Sequence, residues 1–304
     1  MPQSTRSDLL RRHLDRLTRA FPGLEHGDIR ALHRARVASR RLREMVPVLQ
    51  LDHAHSKKIS RRLRKLTKQL GVVRELDVLM VGIDEMHDAR PDQSGALARV
   101  GVAVSKDRDH ARRKLFDALP IASISRLARR LDGVVADLKL AEASTSRAAA
   151  RSWKWAIDGR VEQRATRLAA AVQDAGAVYI PERLHAVRIA LKKLRYSLEL
   201  SHEVAGVRAD ANLRTLKRGQ DLLGRLHDLQ VLIERVRQVQ ASLTPPNLTV
   251  WRDLDALGVS IENECRLLHA RYMRSRDHLV AVVEKLSAPP QGGLAPRGQA
   301  RRAG

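Results

Sequence analysis

From Leu184 onward, apolar side chains return at Val187, Leu191, Leu194 and Leu198, in alternating steps of three and four. That rhythm lays one hydrophobic seam along one side of a helix. Similar rhythms fill most of the chain, and no stretch alternates apolar and polar residues in the manner of a half-buried strand. The pattern predicts an all-α protein with helices near residues 6–20, 28–50, 55–88 and 94–118, a linking helix near 123–140, and further helices near 150–174, 182–204, 208–241 and 249–286. Breaks are expected at "FPG" (Phe21–Gly23), Pro91, Pro120, Pro181 and "TPP" (Thr244–Pro246), where proline or glycine interrupts the pattern. Pro47 falls inside a predicted helix and should kink or end it, because it lacks an N–H and its ring crowds the preceding turn.

The pattern also repeats. "LHRARVASRRLRE" (Leu32–Glu44) returns as "LHAVRIALKKLRY" (Leu184–Tyr196), with six of thirteen positions identical and three exchanged conservatively. "LGVVRELDVL" (Leu70–Leu79) returns as "LGRLHDLQVL" (Leu223–Leu232), and "HAR" at His110–Arg112 returns at His269–Arg271. Three matches in one order indicate an internal duplication. We expect two four-helix units, residues 1–140 and 141–287, related by a pseudo-twofold axis, with the boundary in "AEASTSRAAARS" (Ala141–Ser152). Residues 288–304 carry no core-forming pattern and should be a flexible tail. Gly71 and Gly224 occupy matched helix-interior positions. Glycine there costs about 1 kcal/mol against alanine, which suggests close approach of a neighbouring helix.

Charge changes the picture. The formal net charge is +23. Residues 1–140 hold 30 Lys and Arg against 17 Asp and Glu, and residues 141–304 hold 27 against 17, so both halves share the excess. Such self-repulsion would be relieved by a polyanionic partner. One position along from each apolar seam runs a cationic row: His33, Arg36, Arg40 and Arg43 in the first copy, His185, Arg188, Lys192 and Arg195 in the second. The first copy's seam is thinner (Leu32, Ala35, Ser39, Leu42, Val46), so the cationic row is kept better than the packing row. No acid interrupts either row. Arg41 and Lys193 extend the rows. Arg61, Arg64, Lys65 and Lys68 add a basic stretch answered by Arg214, Lys217 and Arg218, and Arg112 and Arg113 are answered by Arg271. With a cation each turn, about every 5 Å, such rows suit a linear polyanion. Positions that stay arginine in both copies (Arg36/Arg188, Arg43/Arg195) suit forked contacts to phosphate oxygens. The two row histidines could donate an imidazole N–H to phosphate, or pack against a backbone carbonyl.

On these motifs the chain resembles the CHAD family, the conserved histidine α-helical domain, over about residues 6–286. The resemblance implies paired four-helix bundles, a basic central groove or pore, and binding of inorganic polyphosphate, with family members found at polyphosphate granules. It also implies a stand-alone CHAD protein, since no triphosphatase-type CYTH domain accompanies it. Two departures stand out. Glu75 stands where the family commonly has Asp, and His227 stands where the first copy has Arg74.

Rival readings have less behind them. Counterion release lets any basic groove hold nucleic acid at low salt. However, eight aromatics, none clustered in the rows, make a poor stacking platform for single strands. A metal is not expected: the row histidines sit among cations, and His53 and His55 point to different sides of a helix. "HD" at His87–Asp88 and His227–Asp228 is slender support for a metal-dependent phosphohydrolase, and neither a P-loop nor a metal-binding carboxylate set appears. We therefore expect a binding protein, not an enzyme, with no cofactor. The single Cys265 excludes an internal disulfide and reads as a partly buried structural thiol. The N-terminus lacks a signal-peptide core and no apolar run reaches membrane-spanning length. A cytoplasmic location at polyphosphate granules, with no membrane partner, is expected.

Overall fold

The computed structural model describes residues 5–118, 121–144, 147–206, 210–244 and 247–287, with backbone alone for 118, 121 and 147–152. The expected tail, 288–304, lies outside the described residues, as does part of the expected boundary between repeats. The described elements are helices: α1 (Arg6–Thr18), α2 (Phe21–Glu25), α3 (Ile29–Met45), α4 (His53–Ala89), α5 (Ser94–Ala118), α6 (Ile121–Ala143), α7 (Arg147–Ala175), α8 (Pro181–Ala205), α9 (Ala211–Ala241) and α10 (Leu248–Ser287), with short 3-10 turns at Val46–Val48 and Pro91–Gln93. None is long and apolar enough to cross a membrane.

Local chemistry accounts for the helix ends. The Asp28 carboxylate accepts from the N–H groups of Arg30 and Ala31 at 2.8 and 3.0 Å, opening α3 with a side-chain cap. Asp52 and Asp210 cap α4 and α9 in the same way, accepting from His55 and Leu213. Helix α8 has no side-chain cap and starts instead on Pro181, whose missing N–H costs nothing in the first turn. It ends on Gly206 in the left-handed region (φ 68°). Pro47 ends α3 and turns the chain into the 3-10 segment. The chain breaks after α1 at "FPG" as expected, and Pro22 then sits in the first turn of the short α2, where proline is tolerated for the same reason.

The core forms two apolar clusters that do not divide at the halves. One gathers α1, α2, α3, the start of α4 (Ile59–Val73), Leu115 near the end of α5, α6, the start of α7 and the end of α8. The other gathers the rest of α4 (Leu76–Met86), α5, α7, most of α8, α9 and α10. The 37-residue α4 is about 55 Å long at 1.5 Å per residue, long enough to serve both. Cys265 is fully buried in the second cluster, and burial raises its thiol pKa. Matched helices of the two copies meet: α3 packs on α8, and α4 on α9.

The glycine expectation needs correcting. A Cβ on Gly224 would meet nothing within 4 Å, and one on Gly71 would meet the Arg36 guanidinium at 3.7 Å, not another helix backbone. The tight crossing is at Gly219, where a Cβ would lie 3.1 Å from both Leu191 and Leu279. Packing across the bundle selected that glycine, and its helix carries no local sign of it.

Candidate functional site

Both apolar seams are buried as the periodicity requires. Leu32, Ala35, Ser39 and Leu42 lie inside on α3 and Val46 just beyond its end, as do Leu184, Val187, Leu191, Leu194 and Leu198 on α8. Ser39 fits its apolar surroundings because its hydroxyl bonds the Arg36 carbonyl and Thr67. One position along, the cationic rows stand on the shoulders of these seams, and contact between α3 and α8 brings the two rows together.

The middle of each row forms one electrostatic cluster. The charge of Arg40 on α3 acts on Arg188 and Lys192 of α8, and Lys192 also feels Arg36 and Arg188. Arg74 of α4 acts on His33 and Arg36. Against these cations stand Glu75, 3.7 Å from Arg36 and largely exposed, and Asp228, whose carboxyl burial pushes up despite Arg188, Arg225 and Lys192. Among the described residues neither Arg188 nor Lys192 forms an ion pair, and the buried Nε atoms of Arg36 and Arg188 have no hydrogen-bond partner. The cluster resists its own charge. Burial, then Arg40, Arg188 and Arg36, push Lys192 down to about 7, and burial with Arg40 brings Arg36 to about 10.

The histidines are held neutral. Burial, then Arg74, Arg36 and Arg40, lower His33, and burial, then Arg188 and Lys192, lower His185. Among the described residues the hydrogen-bond partner of His185 is another ring, not a backbone carbonyl. Its Nδ1 lies 3.2 Å from Nδ1 of His227, so one ring donates and the other accepts. Burial and the neighbouring Arg188 bring His227 to about 4. A cleft of about 810 Å³, lined by Tyr179, Glu182, Gln230 and Arg266 among others, opens beside this pair. Among the described residues no three His, Cys, Asp or Glu side chains are grouped to hold a metal ion.

The ends of the rows are engaged in the fold. Arg195 donates to Gln220 at 2.8 Å and to Glu199 at 2.5 Å, and Glu199 also faces Arg41 of α3 at 3.6 Å. This carboxylate clamps the two copies together. Arg43 sits 3.7 Å from the buried Glu44, which Arg160 and Arg164 of α7 also hold, at 3.0 and 3.6 Å. Lys193 faces the same group, lowered by burial and by Arg164. Arg64 reaches Arg43 electrostatically, whereas Lys65 lines a separate cleft against α6. Arg112 donates to the Gly27 carbonyl at 2.6 Å, bracing the entry to α3. Arg61, Lys68, Arg113, Arg214, Lys217, Arg218 and Arg271 are exposed, whereas the cations that act on the central groups include Arg36, Arg40, Arg74, Arg188 and Lys192.

Tyr196 and Arg74 were not among the expected site residues. The Tyr196 hydroxyl accepts from Arg40 at 2.6 Å, and Arg195 lies over its ring, 4.6 Å from the centroid. Arg74 could have been found, because it lies in the second repeated element one turn beyond Gly71. The Arg195–Glu199 spacing of four residues is likewise an ordinary helical ion-pair signal.

A family model described as CHAD domain matches residues 8–237. The crystal structure of the CHAD domain from the plant Ricinus communis is similar at a TM-score of 0.60 and 20% identity, covering 94% of this chain and 93% of its own. PptA from Streptomyces chartreusis is similar at a TM-score of 0.56 and 19% identity, covering 92% of this chain and 97% of its own. No curated protein matches.

Proposed function

The chain belongs to the CHAD domain family, and from that premise we propose that it binds inorganic polyphosphate through the cationic cluster shared by α3 and α8. The observation that carries this reading is that the cluster has too few counter-charges of its own. Among the described residues, the carboxyl groups acting on Arg36, Arg188 and Lys192 are Glu75 and Asp228, and burial biases Asp228 towards protonation. A polyanion supplies the missing charge, and it favours full protonation of Lys192. Arginine forks at Arg36 and Arg188 suit pairs of phosphate oxygens. His33 and His185, neutral when the site is empty, become available as charged donors when an anion raises their pKa.

The role is binding, not turnover. The His227–Asp228 pair is placed for electrostatics: His227 bonds His185, and the charge of Arg188 acts on Asp228. Attachment to polyphosphate granules follows from such binding and needs no further site.

Affinity for polyphosphate, DNA and RNA measured side by side at physiological salt tests the reading. Polyphosphate should bind tightest, with log Kd rising steeply with log salt as counterions are displaced. The double variant Arg36→Gln/Arg188→Gln should weaken binding at least tenfold and flatten the salt slope. Wild-type affinity in that folded variant refutes the assignment.

A further inference from the structure

The basic stretch of α4 does not all face the central cluster. At about 100° per residue, Arg64, Gly71 and Glu75 share one side of α4, the side on which Arg36 packs against Gly71. Lys58, Arg62, Lys65 and Gln69 lie roughly opposite, on the other shoulder of the buried seam formed by Leu63, Leu66 and Leu70. That second shoulder faces the linking helix α6.

Helix α6 packs against α1 and leaves a groove against α4. Two adjoining cavities follow it. One of about 310 Å³ is lined by Arg62, Lys65, Gln69, Ser123, Arg126 and Arg130 over an apolar floor that includes Leu66 and Leu127. The other, of about 490 Å³, shares Arg62 and Arg130 and continues past Lys58 to His55 and Asp137. The residues pair in reverse order along the two helices, so α6 runs antiparallel to α4. From His55 to Gln69 the groove extends about 20 Å at 1.5 Å per residue.

Both walls are cationic. Among the described residues, none of Lys58, Arg62, Lys65, Arg126 or Arg130 forms an ion pair, although ion pairs are frequent elsewhere in the fold, including Arg11–Asp132 on the α1 side of α6. Among the described residues Arg126 bonds its own helix, at the Ala122 carbonyl and the Ser123 hydroxyl. Unpaired cations in two facing rows, with one acid at the far end, form a trough for a linear anion.

We infer that the α4–α6 groove is a second polyphosphate-binding site, separate from the central cluster, so that one protein molecule holds two strands and cross-links them. The inference rests on the polyphosphate reading above for the identity of the ligand. It adds a function: a molecule with two sites gathers chains into a network, and the second contact on a shared chain is effectively intramolecular.

Calorimetry with short-chain inorganic polyphosphate, and light scattering with long-chain polyphosphate, test it on three folded variants. Arg62→Gln/Lys65→Gln/Arg130→Gln neutralises the groove, Arg36→Gln/Arg188→Gln the central cluster, and Arg99→Gln/Lys106→Gln/Arg252→Gln removes three exposed cations elsewhere as a charge control. Wild type and control should bind two equivalents of the short chain, and each of the other variants one. Scattering by long chains should fall at least tenfold in the groove variant while its remaining equivalent keeps its affinity. One equivalent in wild type, retained by the groove variant, overturns the second site and leaves the central reading standing. Two equivalents unaffected by the central variant overturn the central reading instead. A control variant as impaired as the groove variant overturns the groove. An oligonucleotide occupying the groove in preference to polyphosphate at physiological salt overturns the ligand assigned to it.

Discussion

Lys192 offers a direct test of the central cluster through pH. In the free protein, burial and the charges of Arg40, Arg188 and Arg36 hold this lysine at about 7 instead of its ordinary 10.5. A bound polyanion reverses the balance, because the ammonium then has a counter-charge. The pKa therefore rises on binding, and binding takes up a proton wherever the free lysine is neutral and the bound one charged. The sign follows from linkage. Below pH 7 the lysine is already charged and affinity is insensitive to it. Above pH 7 each unit weakens binding up to tenfold, about 1.4 kcal/mol, until the bound pKa is reached. With full restoration to 10.5, Kd rises up to about 100-fold between pH 6 and 9, and binding at pH 8 takes up about 0.9 proton. His33, His185 and His227 start below 6.5, so protons taken up by His33 and His185 when an anion raises them weigh on the acid side of this window, and the slope from pH 8 to 9 reports Lys192. The perturbation is Lys192→Arg, which the fold should accept because Arg40 stands at the matched position, and which stays charged throughout. Titration calorimetry in buffers of different ionisation enthalpy reads the proton count. The variant should lose the slope from pH 8 to 9 and outbind wild type at pH 9. Lys193→Arg, at the neighbouring lysine facing Glu44 and Arg164, should leave the slope largely in place. Identical pH profiles for wild type and Lys192→Arg, or no proton uptake at pH 8, refute the reasoning.

Two stability predictions follow from the same contacts. Glu44→Gln removes the buried carboxylate that holds Arg160 and Arg164. Loss of one partner from a buried pair costs about 3 kcal/mol, so the urea midpoint should drop clearly, and a change under about 0.5 kcal/mol would show that the cluster is not structural. The glycines of α9 should respond in opposite directions. Gly224→Ala enters open space and should stabilise by up to about 1 kcal/mol through helix propensity, whereas Gly219→Ala drives a methyl to 3.1 Å from the buried Leu191 and Leu279 and should destabilise by about 1 kcal/mol or more. Chemical denaturation of both variants checks the pair, and a destabilised Gly224→Ala would count against the open geometry.

Much of the fold was legible in the chain alone. A 3.6-residue period, punctuated by proline, glycine and capping Asp, is local information. Helices α3, α4, α5, α8, α9 and α10 accordingly begin and end close to where the pattern puts them. The repeated cationic rows were legible for the same reason, since a helix converts spacing into a face. What the chain could not express was which cations are free. Arg188 and Arg195 look alike in the repeat, yet Arg195 is held by Glu199 and Gln220 while Arg188 forms no ion pair among the described residues. Arg43 looks like Arg36, yet Arg43 sits against a carboxylate, Glu44, that α7 shares from 116 residues away. Gly224 looked like a helix crossing and Gly219 did not. The linking helix α6 was expected, but nothing in its sequence says that its basic side would face that of α4. These outcomes depend on which helices meet and at what rotation. Packing of the buried seams sets that rotation, and a charge gains or loses its partner as a consequence. Spacing along the chain therefore determined where the cations stand on each helix, and only the tertiary structure decided which of them are left without a counter-charge for a ligand to meet.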